Sequence, residues 1–319
     1  MLNISRSYRP QLLVTLALGL LLSVFAVASP QTFLGMRIYR SFMSTIPVTA
    51  VLAIGMTLLV VVGEMDLSFP SVSAASAFLF AEVYLGTGSS WLAALLALVA
   101  GGVMGWVNGL IVVRIGVPSI IATIGTQFFW RGLILLLSDG VARSLASLRG
   151  GSFHTVLVGR VAGEIPAQAL WGVAIALGLA LLLNRHPFGD ALLFIGDNRK
   201  AAAMMGIPVR SVRVRAFVLM GVLAALAGLM STVELTNWWP TQGEGYMLLV
   251  FASVFVGGTS AYGGRGTIYG SLIGSVIIGI IEAGIISAGL AGFWTRLVHG
   301  LIIVISVSIY TVMARRADE

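Results

Sequence analysis

Long apolar runs alternate with short polar breaks along this chain. Ten runs stand out, at 11–29, 42–62, 67–85, 91–113, 117–137, 167–184, 216–233, 247–259, 267–287 and 294–313. A membrane-crossing helix needs about 20 mostly apolar residues, and all but 247–259 come close to that length. The pattern predicts an all-α, polytopic integral membrane protein of about ten transmembrane helices, with one membrane domain over 1–319. The short eighth run and the near-contact of the second and third leave that count open by one or two.

The first run follows a short basic head with Arg6 and Arg9, and Ala26-Val27-Ala28 looks like a signal-peptidase site. The run exceeds the 7–15 apolar residues of a signal peptide, and Pro30 follows closely, so a retained first helix is the favoured reading.

Ten spans place both ends on one side. That side, taken as cytoplasmic, holds Arg6, Arg9, Arg114, Arg185, Arg199, Lys200, Arg210, Arg213, Arg215, Arg265, Arg315 and Arg316, 12 of the 19 basic residues. Arg131 falls inside a span and six lie on the outer side. The bias follows the positive-inside rule. Its main exception is the outer loop 138–166, which carries Arg143, Arg149 and Arg160; long loops obey the rule less strictly.

Gly101, Gly105 and Gly109 are four apart, as are Gly266, Gly270 and Gly274. Each trio makes a flat stripe that lets a neighbouring backbone approach. The trios occupy equivalent places if the chain is two halves of five spans, consistent with an inverted repeat.

The segment 185–215 is the largest on the cytoplasmic side and reads RHPFGDALLFIGDNRKAAAMMGIPVRSVRVR. Asp197 or Asn198 suits a helix start, Arg199 to Met205 are strong helix formers, and Gly206 followed by Pro208 suits a stop. The spacing predicts a short, bounded helix outside the membrane, with small alanines on one face beside Met204 and Met205. Such a helix fits a partner's groove; the plainer reading is a solvated basic loop that fixes topology.

Ser119, Thr123, Thr126, Gln127 and Trp130 share one face of the fifth span. In lipid a polar stripe must face a cavity or another helix. Gln and Trp favour a solute path, because amides bind hydroxyls and indoles stack on sugar C–H faces. Bonding between helices is the alternative. Arg131, one residue on, is placed to snorkel or to pair with an acid. Between the second and third spans stand Glu64, Asp66 and Ser68. They read either as an inner-surface turn with a helix cap or as a broken helix aiming polar groups into the path, with Asn108 joining from the fourth span. Glu282 is expected in the middle of the ninth span, paired, protonated or facing water.

Composition sharpens this picture. Apolar residues are 58% of the chain and charged residues 10%, against about 25% charged in soluble domains. There is no cysteine, which excludes disulfides and Cys-ligated metals. His154, His186 and His299 form no metal-binding pattern, and no metal site or catalytic residue is expected. The single lysine, Lys200, precedes alanine, so the chain has no Walker A loop. The net charge of +7 is read as membrane sidedness and not as a nucleic-acid footprint.

GDNRKAAAMMGIPV followed by GVLAALAGLMS resembles the coupling loop of bacterial ABC importer permeases of the ribose/xylose/autoinducer-2 group. GEMDLSFPS at 63–71, VPSIIATIGTQFFWRG at 117–132 and VFVGGTSAYGGRGTIYGSLIG at 254–274 agree in order. The resemblance implies a non-catalytic permease subunit in the bacterial inner membrane, moving a sugar or sugar-like solute. Its implied partners are a second permease copy or paralogue, a cytoplasmic ATPase that binds ATP and Mg, and a periplasmic binding protein. It implies ATPase coupling through Asn198, Lys200, Ala201, Ala202 and Gly206; the polar stripe and the 63–71 turn, read by themselves, give Asp66, Ser68, Asn108, Thr123, Gln127 and Trp130 as the candidate solute path. Arg143, Arg149 and Arg160 are candidates for docking the binding protein. The chain departs from the group at Lys200, where an acid is usual, at Glu64 and Pro70, where glycines are usual, and near Glu282, where Asn is common. Two other readings stay open: a nucleoside importer of the same build, and an ion-driven secondary transporter supported by Glu64, Asp66 and Glu282.

Overall fold

Each apolar run becomes a helix, since in lipid only internal hydrogen bonding can satisfy the backbone. The computed structural model describes residues 9–318 except 288, 291 and 292, with side chains from 11 to 308. Arg6 and the side chains of Arg9, Arg315 and Arg316 lie outside the described residues. The long apolar helices are α1 (Arg9–Ala28), α2 (Met36–Val61), α3 (Phe69–Thr87), α4 (Ser90–Leu110, continued by a π-turn Ile111–Ile115) and α5 (Ser119–Ser138). They continue, after the short α6 (Ser152–Val158), with α7 (Ala167–Arg185). Two small helices follow, α8 (Pro187–Asp197) and α9 (Arg199–Met204), and then α10 (Val209–Leu235), α11 (Tyr246–Val256), α12 (Ile268–Ser287) and α13 (Phe293–Asp318). Among the described residues eight helices are long and apolar enough to cross a membrane, and the apolar stretches of α11 and α13 are shorter. These ten are the ten runs of the sequence, and the architecture is that of a polytopic all-α membrane protein.

Helices α2 and α10 form the centre, with 89% and 78% of their apolar windows buried. Helices α3, α4, α7, α11 and α12 surround them. Helices α1 and α5 sit at the margin, only 6% and 17% buried. The first glycine trio lies against α10: a side chain at Gly105 would strike the Phe217 carbonyl, so only glycine allows this approach. In the second trio Gly270 and Gly274 face Gly257 and Ser253 at the end of α11, while Gly266 precedes α12.

The α9 end of the bundle gathers the turns 62–68 and 257–267. There Gly264 N–H donates to the Val61 carbonyl at 2.9 Å. The far end gathers 139–166 and 236–245. The outer loop 138–166 carries its own secondary structure. β1 (Arg143–Ser144) pairs antiparallel with β4 (Asn237–Trp238), and β2 (Arg160–Val161) forms a hairpin with β3 (Ile165–Pro166). Leu145, Leu148, Phe153, Leu157 and Val158 are buried beneath it, so apolar burial holds the segment onto the helix ends.

Candidate functional site

The turn between α2 and α3 is built from side chains. Gly63 takes φ +81°, a left-handed conformation that lets the chain leave α2 sharply. Asp66 Oδ1 then accepts from Ser68 N–H at 2.7 Å and from Ser68 Oγ at 2.6 Å. Asp66 thus holds the first turn of α3, and Ser68, the residue at the cap position, makes no capping bond with its own side chain. Asn108 Nδ2 on α4 donates to Ser68 Oγ at 2.7 Å and to Asp66 Oδ2 at 3.3 Å. From α5, Thr123 Oγ1 accepts from Leu67 N–H at 2.9 Å and Ser119 Oγ from Met65 N–H at 3.3 Å. Asp66, Ser68, Asn108 and Thr123 are fully enclosed. Burial pushes the Asp66 carboxyl above its ordinary value, against the opposing pull of the Ser68 and Asn108 hydrogen bonds.

The polar stripe of α5 therefore divides. Ser119 and Thr123 hold the turn, as expected for bonding between helices. Gln127 Oε1 and Trp130 Nε1 are buried and find no partner among the described residues. Arg131 bonds no acid among the described residues: it donates to the Pro240 carbonyl at 2.5 Å and the Gln242 carbonyl at 3.0 Å. Helix α5 thus touches a turn at each end of the bundle.

Glu64 is 4% exposed and Arg213 11%, whereas Arg199 is 49% exposed. Glu64 Oε1 accepts from Arg199 Nη2 at 2.8 Å, and from Arg213 Nε at 2.8 Å and Nη2 at 2.5 Å. The first residue of α9 is thereby tied to the α2–α3 turn and to α10. Asn198 Oδ1 caps α9 by accepting from Lys200 N–H at 3.1 Å and Ala201 N–H at 3.0 Å. Gly206, at φ +81°, follows its end. Ala202 faces inward and is 1% exposed, so its side chain packs within this chain. The outward surface is Lys200, Ala203, Met204 and Met205, with the two methionines 83% and 66% exposed.

The three loop arginines are engaged at home. Arg143 pairs with Glu82 at 2.7 Å and Arg160 with Glu234 at 3.3 Å. Arg160 also donates to Ser44 Oγ at 2.7 Å, and Arg149 to Thr236 Oγ1 at 3.5 Å. These bonds brace the far-end cap; Arg149 and Arg160 remain solvent-exposed.

A cavity of 460 Å³ opens between the far halves of α2, α10, α11 and α12. Ser41, Ser44, Thr45, Thr49, Ser231 and Tyr246 contribute hydroxyls to its lining, and Glu234 and Glu282 carboxylates. Glu282 lies five residues before the end of α12, in its far half. None of the six residues anticipated for the path lines this cavity. The sequence did hold a signal for it. Ser41, Thr45 and Thr49 recur every fourth residue at the start of the second run, the same helical-face rule that singled out α5.

The sequence also matches known proteins over most of its length. The family model described as branched-chain amino acid transport system / permease component matches residues 38–307. The ribose import permease protein of Bacillus subtilis (strain 168) is 35% identical over 293 residues, covering 92% of this chain and 90% of that protein. The D-allose transport system permease protein of Escherichia coli (strain K12) is 30% identical, covering 92% and 89%. An autoinducer 2 import system permease protein of Yersinia pseudotuberculosis (strain YPIII) is 31% identical, covering 90% and 82%. With a membrane bundle, a capped surface helix and this breadth of match, the chain belongs to the permease-component family of bacterial transport systems.

Proposed function

We propose that the chain is the transmembrane subunit of a binding-protein-dependent ABC importer that passes a sugar or sugar-like solute through the bacterial inner membrane by ATP-driven alternating access. One observation carries the reading: α9, a capped helix outside the spans, presents Met204 and Met205 outward while Arg199 reaches the buried Glu64. That is a docking surface joined to the membrane part. The relatives' ribose, allose and autoinducer-2 cargoes support the solute class. The basic bias supports a cytoplasmic α9 end and cytoplasmic termini. ATP and Mg bind a separate ATPase against α9, a periplasmic binding protein meets the far end, and a second copy or a paralogue completes the membrane unit. Asn198, Lys200, Ala201, Ala202 and Gly206 shape and present α9. Gln127 and Trp130, each with an unpartnered polar atom, serve the solute path. Asp66, Ser68, Asn108 and Thr123 hold the turn beside it. Arg149 and Arg160 offer the binding protein positive charge, and Arg143 braces that surface.

Glu282, which has no ion pair among the described residues, favours a second reading, an ion-driven transporter. Uptake into proteoliposomes separates the two. With an ABC ATPase and a sugar-binding protein of a related importer supplied, uptake should require ATP and both partners. Uptake driven by a proton or sodium gradient alone would overturn the importer reading.

A further inference from the structure

The far-end cavity has no place in the argument for α9. Its walls carry hydroxyls from Thr45, Thr49, Ser231 and Tyr246, with Tyr246 Oη donating to Ser231 Oγ at 3.4 Å. They also carry two acids, and among the described residues the one cation bonded to the lining is Arg160, which donates to Ser44 Oγ and Glu234 and so neutralises Glu234. The acids differ. Glu234 is engaged, accepting from Gln168 Nε2 at 2.5 Å and from Arg160 at 3.3 Å. Glu282 has no hydrogen bond or ion pair among the described residues, although it stands within a membrane helix. A carboxylate in such a place is costly unless water or a ligand meets it. At 460 Å³ the space is of ligand size. Seven residues of α2 separate Ser41, near the far end, from Thr49, so the hydroxyl face runs about 12 Å into the bundle.

We propose that this cavity is a solute chamber whose hydroxyls and free Glu282 carboxylate accept a polyhydroxylated solute without negative charge and turn away anionic ones, such as sugar acids and sugar phosphates. The inference rests on the transport reading and names the solute class. Hydroxyl or ammonium groups of the solute donate to Glu282, and the wall hydroxyls take the rest. A negative solute would meet an unneutralised carboxylate at low dielectric, where like charges repel strongly.

The chain has no cysteine, so Thr49→Cys and Ser231→Cys each give a single reporter. The chain in lipid discs is treated with a cationic and an anionic thiosulfonate reagent of similar size. The cationic reagent should react faster by about tenfold or more, the scale of electrostatic focusing in a charged cleft. Glu282→Gln should remove most of that preference. Glucosamine should slow labelling most, ribose next, and gluconate least. Absence of labelling at both positions, equal rates for the two reagents, a preference untouched by Glu282→Gln, or protection by gluconate equal to that by glucosamine would each overturn the proposal. So would absence of protection by every solute. No step needs ATP, an ATPase or a binding protein, so the outcome is independent of the uptake test of the importer reading.

Discussion

At the α9 end, the chain between α2 and α3 meets its surroundings mainly through side chains: Asp66 to Ser68 and Asn108, and Glu64 to Arg199 and Arg213. At the far end, the chain between α10 and α11 relies on neutral groups and carbonyls. Trp238 Nε1 donates to the Ala74 carbonyl at 3.0 Å, and Gln242 Nε2 to the Gly228 carbonyl at 3.0 Å. Thr232 Oγ1 donates to Gln242 Oε1 at 2.9 Å, and Arg131 supplies the charge from outside. One turn carries its own charges to its neighbours; the other offers dipoles to a visiting charge. The first is sensitive to any change in charge balance and is joined to α9 through Arg199. The second rests on neutral side chains that reach backbone carbonyls, so most of its bonds involve no charge balance.

The largest effect expected from this contrast is at Glu64. Glu64→Leu leaves Arg213 buried without its anion, and breaking a buried pair costs about 3–5 kcal/mol. The melting temperature in lipid discs should fall steeply. A change under about 1 kcal/mol would mean that water already screens the pair, and the near turn would then be no more charge-dependent than the far one.

Next in size is Arg131→Leu. It removes a charged donor from two carbonyls but leaves no buried charge behind, so the loss is expected to be about 1.5–3 kcal/mol in all. The loss should stay below that of Glu64→Leu, because the carbonyls of Pro240 and Gln242 keep their place in a turn held by Trp238 and Gln242. Equal losses for the two variants would erase the distinction between the turns.

Asp66 brings pH into the comparison. Burial raises its native value above the ordinary 3.8. A raised acid contributes stability that is fully present below the ordinary value and is lost as pH rises through the native one. Asp66→Asn cannot titrate, so the difference in melting temperature between variant and parent should shift in the variant's favour as pH rises above 4. A constant difference from pH 4 to 8 would show that the hydrogen bonds of Ser68 and Asn108 cancel the burial.

Much of this was legible in the chain, for identifiable reasons. Ten runs gave ten helical elements because length and apolarity suffice in lipid. The α9 cap at Asn198 and the turn at Gly206 are local signals, and both are where the residues put them. Contacts across the fold left no local trace: Glu64 and Arg213 are 149 positions apart. The inward face of Ala202 was not legible either, since three successive alanines look alike until α10 lies beside one of them. The far-end cap hid its five buried apolar residues in a segment too broken to show a period. The hydroxyls of Thr45 and Thr49 lay inside an apolar run, where threonine passes as an ordinary helix residue.

The smallest effect on stability, and the sharpest test of what the near turn is for, is expected at Arg199. Its side chain is half exposed, and an exposed ion pair is worth about 0–1 kcal/mol. Arg213 continues to neutralise Glu64, so Arg199→Ala should melt within a degree or two of the parent and bind the ATPase through the unchanged Met204 and Met205. What it loses is the bond from α9 to the α2–α3 turn, and through Met65 and Leu67 to Ser119 and Thr123 of α5. A coupling free energy of 1–3 kcal/mol corresponds to about 5–150-fold. Stimulation of ATP hydrolysis by loaded binding protein should therefore drop roughly fivefold or more, while basal hydrolysis holds. Arg199→Lys keeps the charge within reach of Glu64 and should recover part of the loss. A merely structural arginine would give the reverse pattern, with lowered melting and unchanged stimulation. Normal stimulation in Arg199→Ala would show that movement of α9 reaches the spans by another route, leaving Glu64 as a partner of Arg213 alone.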